Sequence, residues 1–185
     1  MPGGAGHRDR YDGDRWHRDP MNGLRLLCSV VTDPGRCRSC EVTDRLDGLP
    51  PRERIVLDDL WRVAHAFDTA LPGWLVLLPR RHVTAIADLT DAEAVALGTW
   101  QVRLSRALHA VTGCVKTYVV QFAEADGFAH VHFHLIPRMA DQSHELRGPR
   151  IFGLLGVPED RRVSEARRDD LARALVDHLA TGQDG

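Results

Sequence analysis

Lysine is almost missing from this chain: of 24 basic residues only Lys116 is lysine and the rest are arginine. We read that as a compositional bias, not as a row of phosphate clamps. An excess of charge is missing too. The 24 Lys+Arg stand against 26 Asp+Glu, a formal net charge of −2 with histidines neutral. That excludes the broad basic footprint of a protein that coats duplex nucleic acid. No apolar run approaches the roughly 18 to 20 residues of a membrane span. The opening MPGGAGHRDRYDGDRWHRDP has no apolar stretch, so it is not a secretory signal peptide. Gly-rich nucleotide-binding loops, internal repeats and low-complexity tracts in the folded part are absent as well. These absences point to a cytoplasmic protein with no membrane partner.

What is present is the composition of one globular domain: 185 residues, 43% hydrophobic and 27% charged. Residues 1–22 are rich in Gly, Arg, Asp and His with few aliphatics, and we expect a disordered tail there, with Met21 a second candidate start. His7 and His17 are expected to be solvated. Residues 23–185 form one domain, with a core over 37–138 and an extension over 139–185. The stretch RIVLDDLWRVAHAF reads as two short strands turning near Asp58 and Asp59, followed by a turn at Pro72-Gly73 and an apolar strand from Trp74 to Leu78. Thr90 and Glu93 form a capping box that opens a helix running to about Val111, and Gly113 stops it. KTYVVQF and AHVHFHLIPR are strands around the turn EADG. RGPRIFGLLGVPEDRR reads as loop, and Ser164 caps a last helix. The order strands, long helix, strands makes the fold class α+β, an antiparallel sheet of about five strands with one long helix and a C-terminal helix.

The informative segment is His130-Val131-His132-Phe133-His134-Leu135-Ile136. In a strand the side chains alternate, so the three histidines share one face while Val131, Phe133 and Leu135 turn to the core. One apolar face suffices for folding, and the imidazoles add groups that ionise near neutrality. An ordinary solvent face, or three ligands of one metal, are the alternatives.

The segment resembles the signature of the histidine triad (HIT) family, His-φ-His-φ-His-φ-φ with φ apolar. Leu77-Leu78-Pro79-Arg80-Arg81-His82 is similar to the family's strand ending in Pro, two basic residues and His, and Phe67-Asp68 to its aromatic-acidic element. The likeness runs from about Cys37 to Arg138. It implies a nucleotidyl hydrolase or transferase cleaving at the α-phosphate of a nucleoside 5′-phosphate derivative, a dinucleoside polyphosphate or a nucleoside phosphoramidate. His132 would be the nucleophile, with a backbone carbonyl fixing its tautomer, and His134 would bind the phosphate oxygens. Asp68 falls at the family's ribose-binding acid and Gln121 near its phosphate-contacting Asn. Where many members carry Gly-Gln-Ser before the triad, this chain has Glu124-Ala125-Asp126-Gly127, so Asp126 is either a stand-in polar contact or an ordinary turn residue. Two other readings stay open: a nucleotide-binding or partner-binding module with vestigial activity, and transfer to a phosphate or sugar-phosphate acceptor.

Four cysteines without a signal peptide suggest free thiols or metal ligands. Cys37-Arg-Ser-Cys40 has zinc-knuckle spacing but needs two more ligands; unligated thiols are the alternative, and a redox pair fits less well for want of a flanking strand-then-helix pattern. Zinc-containing bacterial HIT proteins, which the chain resembles, imply that the set is completed by His82 and His130, a structural Zn2+ site that leaves His132 free. Cys28 and Cys114 read as small buried hydrophobes, and His65, His109, His144 and His178 are given no role. Family resemblance also implies a homodimer through the long helix.

Overall fold

The computed structural model describes residues 37–45 and 48–181. The expected tail, Met21, His7, His17 and Cys28 lie outside them. A short helix α1 (Arg38–Thr43) opens the described chain, where the sequence suggests only a turn. Strands β1 (Val56–Leu57), β2 (Trp61–His65) and β3 (Leu75–Pro79) follow. After them come helix α2 (Asp91–Thr112), strands β4 (Lys116–Val120) and β5 (Phe133–Arg138), and helix α3 (Glu165–Thr181). The strands make one antiparallel sheet in the order β1-β2-β3-β5-β4. This is the α+β architecture expected.

Local chemistry sets the boundaries. At the start of α2 the Thr90 hydroxyl accepts from the Glu93 N–H and the Glu93 carboxylate accepts from the Thr90 N–H, both halves of a capping box. Gly113, at φ +72°, ends the helix in the left-handed conformation that costs glycine least. Glu93 also takes two hydrogen bonds from Arg81, at 3.2 and 2.8 Å. The helix start is thereby tied to the segment after β3. That pairing, with burial opposing it, holds the Glu93 carboxyl down at about 2.

The turn at Pro72-Gly73 is held by His65, to which the sequence assigned nothing. The Ala66 carbonyl lies 2.8 Å from His65 Nδ1, so that nitrogen carries the proton and Nε2 accepts the Gly73 N–H at 2.9 Å. Gly73 has φ +85°, and a Cβ there would stand 3.0 Å from the Thr112 methyl.

The sheet is covered on both faces. One face packs Trp61, Val63, Leu75, Leu77, Phe133 and Leu135 against Leu104 and Leu108 of α2 and Leu175 of α3. Against the other, Trp74 and Ile136 meet Ile151. Ile151 comes from a 3-10 segment, Gly148–Leu154, inside the stretch read as loop. A single apolar face is therefore not the pattern of β5: all five residues from Phe133 to Pro137 are buried. Strand β5 also begins at Phe133, three residues later than the first triad histidine, so His130 and His132 lie in an irregular approach to it.

Candidate functional site

The three histidines diverge because the backbone entering β5 is not yet regular strand. The His130 N–H bonds to the Phe128 carbonyl at 2.7 Å and the Val131 N–H to Val83 at 2.7 Å. His130 is fully buried and turns toward the cysteines. His132 and His134 instead line a cavity of about 480 Å³ over the sheet, within the range of small-molecule sites.

Hydrogen bonding assigns a proton position to each of the two. His132 Nδ1 lies 2.7 Å from the His130 carbonyl oxygen. A carbonyl only accepts, so Nδ1 bears the proton and Nε2 keeps its lone pair. The opposite holds next door. Trp74 Nε1–H, which only donates, reaches His134 Nδ1 at 3.0 Å, so His134 carries its proton on Nε2. The rings stand 4.9 Å apart, nearly perpendicular. Burial lowers the pKa of both, His134 to about 4 with help from neighbouring His132, and for His132 the His130 carbonyl opposes the shift. The pair is neutral at pH 7: one ring offers a lone pair and the other a donor.

The cavity wall is drawn from several elements. Ala64 of β2, Val76 and Leu78 of β3 and Val42 of α1 supply apolar surface. Phe67 and Phe128 stack at 6.1 Å and 19°. The Phe152 ring, from the 3-10 segment, stands nearly perpendicular to those of Trp74 and His134, with centroids 5.3 Å from each. Asp68 lines the cavity, half-buried, and so does Glu124, which is exposed. Gln121 and Asp126 do not line it: Gln121 lies just past the end of β4 and Asp126 is exposed in the turn before the triad. Ala123 in that turn has φ +56°, the left-handed region where alanine is strained. The turn is tied to α1 by an Arg38 N–H to Gly127 carbonyl bond of 2.9 Å.

Next to the cavity, Cys37, Cys40, His82 and His130 bring four ligand atoms within 4.8 Å of one another. Cys37 Sγ and Cys40 Sγ each lie 3.5 Å from His130 Nδ1, and Cys40 Sγ lies 3.3 Å from His82 Nδ1. A tetrahedral zinc, with bonds of about 2.3 Å to sulfur and 2.0–2.1 Å to nitrogen, sets such atoms about 3.5 Å apart. His130 Nε2 is 2.8 Å from the Pro79 carbonyl, which fixes the proton there and leaves Nδ1 as a lone pair toward both sulfurs. Without a cation the pair of thiols is unfavourable as thiolates, since burial and the neighbouring Cys37 push Cys40 up to about 12. The donor set fits a bound zinc, which would stabilise thiolates.

Two polar residues of the cavity have no counterpart in the sequence reading. Arg62 of β2, 4% exposed, lines the cavity with Glu53 from the 3-10 turn Pro51–Glu53. The only trace in the sequence was an arginine inside an otherwise apolar strand. Trp74, which orients His134, read as ordinary core.

The HIT domain family model matches residues 50–141. No curated protein matches the chain. Among solved structures, a Zn-bound histidine triad family protein from Mycobacterium smegmatis is similar at 18% identity and TM-score 0.57, over 78% of this chain and 94% of that one. A histidine triad protein from Bradyrhizobium japonicum matches at 25% identity and TM-score 0.57, over 68% and 89%. The diadenosine triphosphate hydrolase of Plasmodium falciparum, solved with cyclomarin A, matches at 14% identity and TM-score 0.55, over 72% and 80%. With its HIT domain at residues 50–141 and the fold of these structures, the chain belongs to the histidine triad family.

Proposed function

We propose that the protein is a nucleotidyl hydrolase or transferase that works through a covalent nucleotidyl-His132. The observation that carries this reading is the opposed proton placement of the two cavity histidines. His132 Nε2, with Nδ1–H held by the His130 carbonyl, attacks the α-phosphorus of a nucleoside 5′-phosphate derivative. The bond from phosphorus to the leaving group breaks as the nitrogen–phosphorus bond forms. His134 Nε2–H donates to a non-bridging oxygen as charge grows there. Water, or an acceptor phosphate, then attacks the same phosphorus and His132 departs with its lone pair restored. Of the three expected substrate contacts, Asp68 is the one on the cavity wall, and in this reading it accepts from ribose hydroxyls.

Zinc held by Cys37, Cys40, His82 and His130 is structural in this reading, because four protein donors leave no open position for water. A bound zinc supplies cross-linking, not acid–base chemistry. It pins α1 in place, and α1 contributes Val42 and Arg38 to the cavity. No helix among the described residues is long and apolar enough to cross a membrane, and we place the protein in the cytoplasm. We propose a homodimer through α2, a reading that the exposed Val95 and Val102 support and sedimentation tests.

The deciding experiment measures nucleotide release from adenosine 5′-phosphoramidate and from a diadenosine polyphosphate by wild type and His132→Asn. Release by wild type that is lost in a folded variant supports the reading. Release that persists in His132→Asn refutes it, and binding without turnover in either would favour the nucleotide-binding module.

A further inference from the structure

The cavity has one charged pair at the end away from the reactive histidines, and folding alone does not account for it. Arg62 pairs with Leu78 across the β2–β3 ladder, and the β3–β5 ladder runs Val76 with His134 and Leu77 with Phe133. His132, in the approach to β5, faces the same cavity. Ala64, Val76 and His134 therefore form one row across the sheet, with the Arg62 and Leu78 pair two residues along from Ala64 and Val76. All six line the cavity. At about 4.8 Å per strand, Ala64 of β2 and His134 of β5 are roughly 10 Å apart at Cα. A nucleotide with its α-phosphorus at His132 and its length laid across β3 brings its base over small Ala64, against Val76, Leu78 and Val42, with its far edge at Arg62.

Arg62 holds more donors than its neighbours use. Nη1 donates to the Glu53 carbonyl at 3.0 Å and to Glu53 Oε2 at 3.3 Å. Nε is buried and has no partner among the described residues. A buried guanidinium with idle N–H groups is costly unless something else accepts from it. A phosphate is a poor candidate, because the Glu53 carboxylate neutralises the arginine and faces the same space. The chemistry that suits both is a neutral ring edge carrying an acceptor beside a donor.

Resting on the nucleotidyl transfer argued above, we propose that Arg62 and Glu53 select the base and that the base is guanine. Guanine offers O6 and N7 to the guanidinium, and its N1–H and N2–H groups suit a carboxylate. Adenine puts an amino group where guanine has O6, so donors face donors, and its N1 carries no proton for Glu53. The pair is a specificity-determining element on the nucleoside side of the cavity, distinct from the histidines that act on phosphorus.

Calorimetric titration of the full zinc-loaded chain with GMP, AMP and IMP tests this. Wild type is expected to bind GMP on the order of tenfold or more tighter than AMP. IMP, which keeps O6 and N1–H, should fall within a few fold of GMP. In Arg62→Met and in Glu53→Gln the GMP preference over AMP should collapse toward one. Should Arg62→Met fail to fold, Glu53→Gln decides alone, since the Glu53 side chain is 24% exposed and tolerates an isosteric change. AMP binding as tightly as GMP in wild type, or variants that weaken both nucleotides equally, overturns the base assignment and leaves the histidine chemistry standing. Binding of none of the three overturns the nucleotide reading and this one with it.

Discussion

Replacing Trp74 by Phe removes a single N–H from a fully buried site, and the consequences can be worked out from the hydrogen bonds around it. Trp74 is 0% exposed and gives its indole N–H to His134 Nδ1 at 3.0 Å. Phenylalanine keeps an aromatic ring for the edge contacts that Phe152 and His134 make with Trp74. It leaves Nδ1 as a buried acceptor without a donor, a loss of about 1–3 kcal/mol. The smaller ring adds a cavity cost, so about 2–3 kcal/mol of stability should go, or roughly 4–12 °C in Tm for a chain of this length. Chemistry should suffer separately. Once Nδ1 has no donor, His134 gains by moving its proton from Nε2 to Nδ1 or by turning over. A hydrogen bond worth about 1.4 kcal/mol shifts that balance tenfold. We therefore expect kcat to fall about tenfold with KM for the nucleotide little changed. Nitrogen-15 NMR of His134 at pH 7 should show the Nε2–H tautomer in wild type and a mixture in Trp74→Phe. Unchanged nitrogen shifts together with wild-type kcat would refute the assignment of His134 as an oriented donor.

Other expectations concern stability and metal. His65 takes a proton at about 4 in the folded chain against an ordinary 6.5, chiefly because it is buried. Between those values the unfolded chain binds more protons, so stability falls as pH drops from about 6.5 toward 4, by up to about 3 kcal/mol from this residue. Urea melts at pH 7 and pH 4.5 should show a steeper acid loss in wild type than in His65→Gln, measured as a difference of differences. Glu93→Gln should cost about 1–2 kcal/mol at pH 7, since the Arg81 partner is half exposed and its pull is screened. The Glu93 contribution is present above the ordinary carboxylate pKa of 4.5 and fades as pH falls toward about 2, so wild type and variant should converge in acid melts. Metal analysis should find about one zinc per chain. Cys37→Ser should lose that zinc together with several degrees of Tm, and equal stability without metal in wild type and variant would remove the structural role.

Much of the sheet and the long helix was legible because local signals and tertiary needs agree there. The capping box at Thr90, the stop at Gly113 and the turn at Pro72-Gly73 are all chemical necessities of the backbone, and each lies where the sequence places it. Strand β3 is shifted by one residue, to Leu75–Pro79, because Trp74 belongs to the turn side of the ladder. What misled was β5. Period-two reasoning treats the three histidines as equivalent, yet His130 precedes the ladder and faces the sulfurs while His134 is packed under Trp74. The 3-10 segment Gly148–Leu154 gave no periodic signal, because its burial rests on Ile151 and Phe152 alone. Arg62 and Glu53 were invisible as a pair, being nine residues apart and brought together by the return of β2 alongside the turn that holds Glu53.

The Cys37–Cys40 cluster also constrains the order in which the chain can assemble. Its four donors come from three places far apart in sequence, Cys37 and His130 being 93 residues apart. Closing so long a loop is entropically costly and gains nothing until β3 and the approach to β5 already lie side by side. Tight metal capture by this cluster would therefore be a late event. During synthesis the pair Cys37 and Cys40 emerges first and must wait for the 90 residues that separate Cys40 from His130. Uptake of zinc in a refolding reaction should accordingly trail the formation of the β2–β3 hairpin, and metal occupancy would report that the Cys37 segment and the approach to β5 have met.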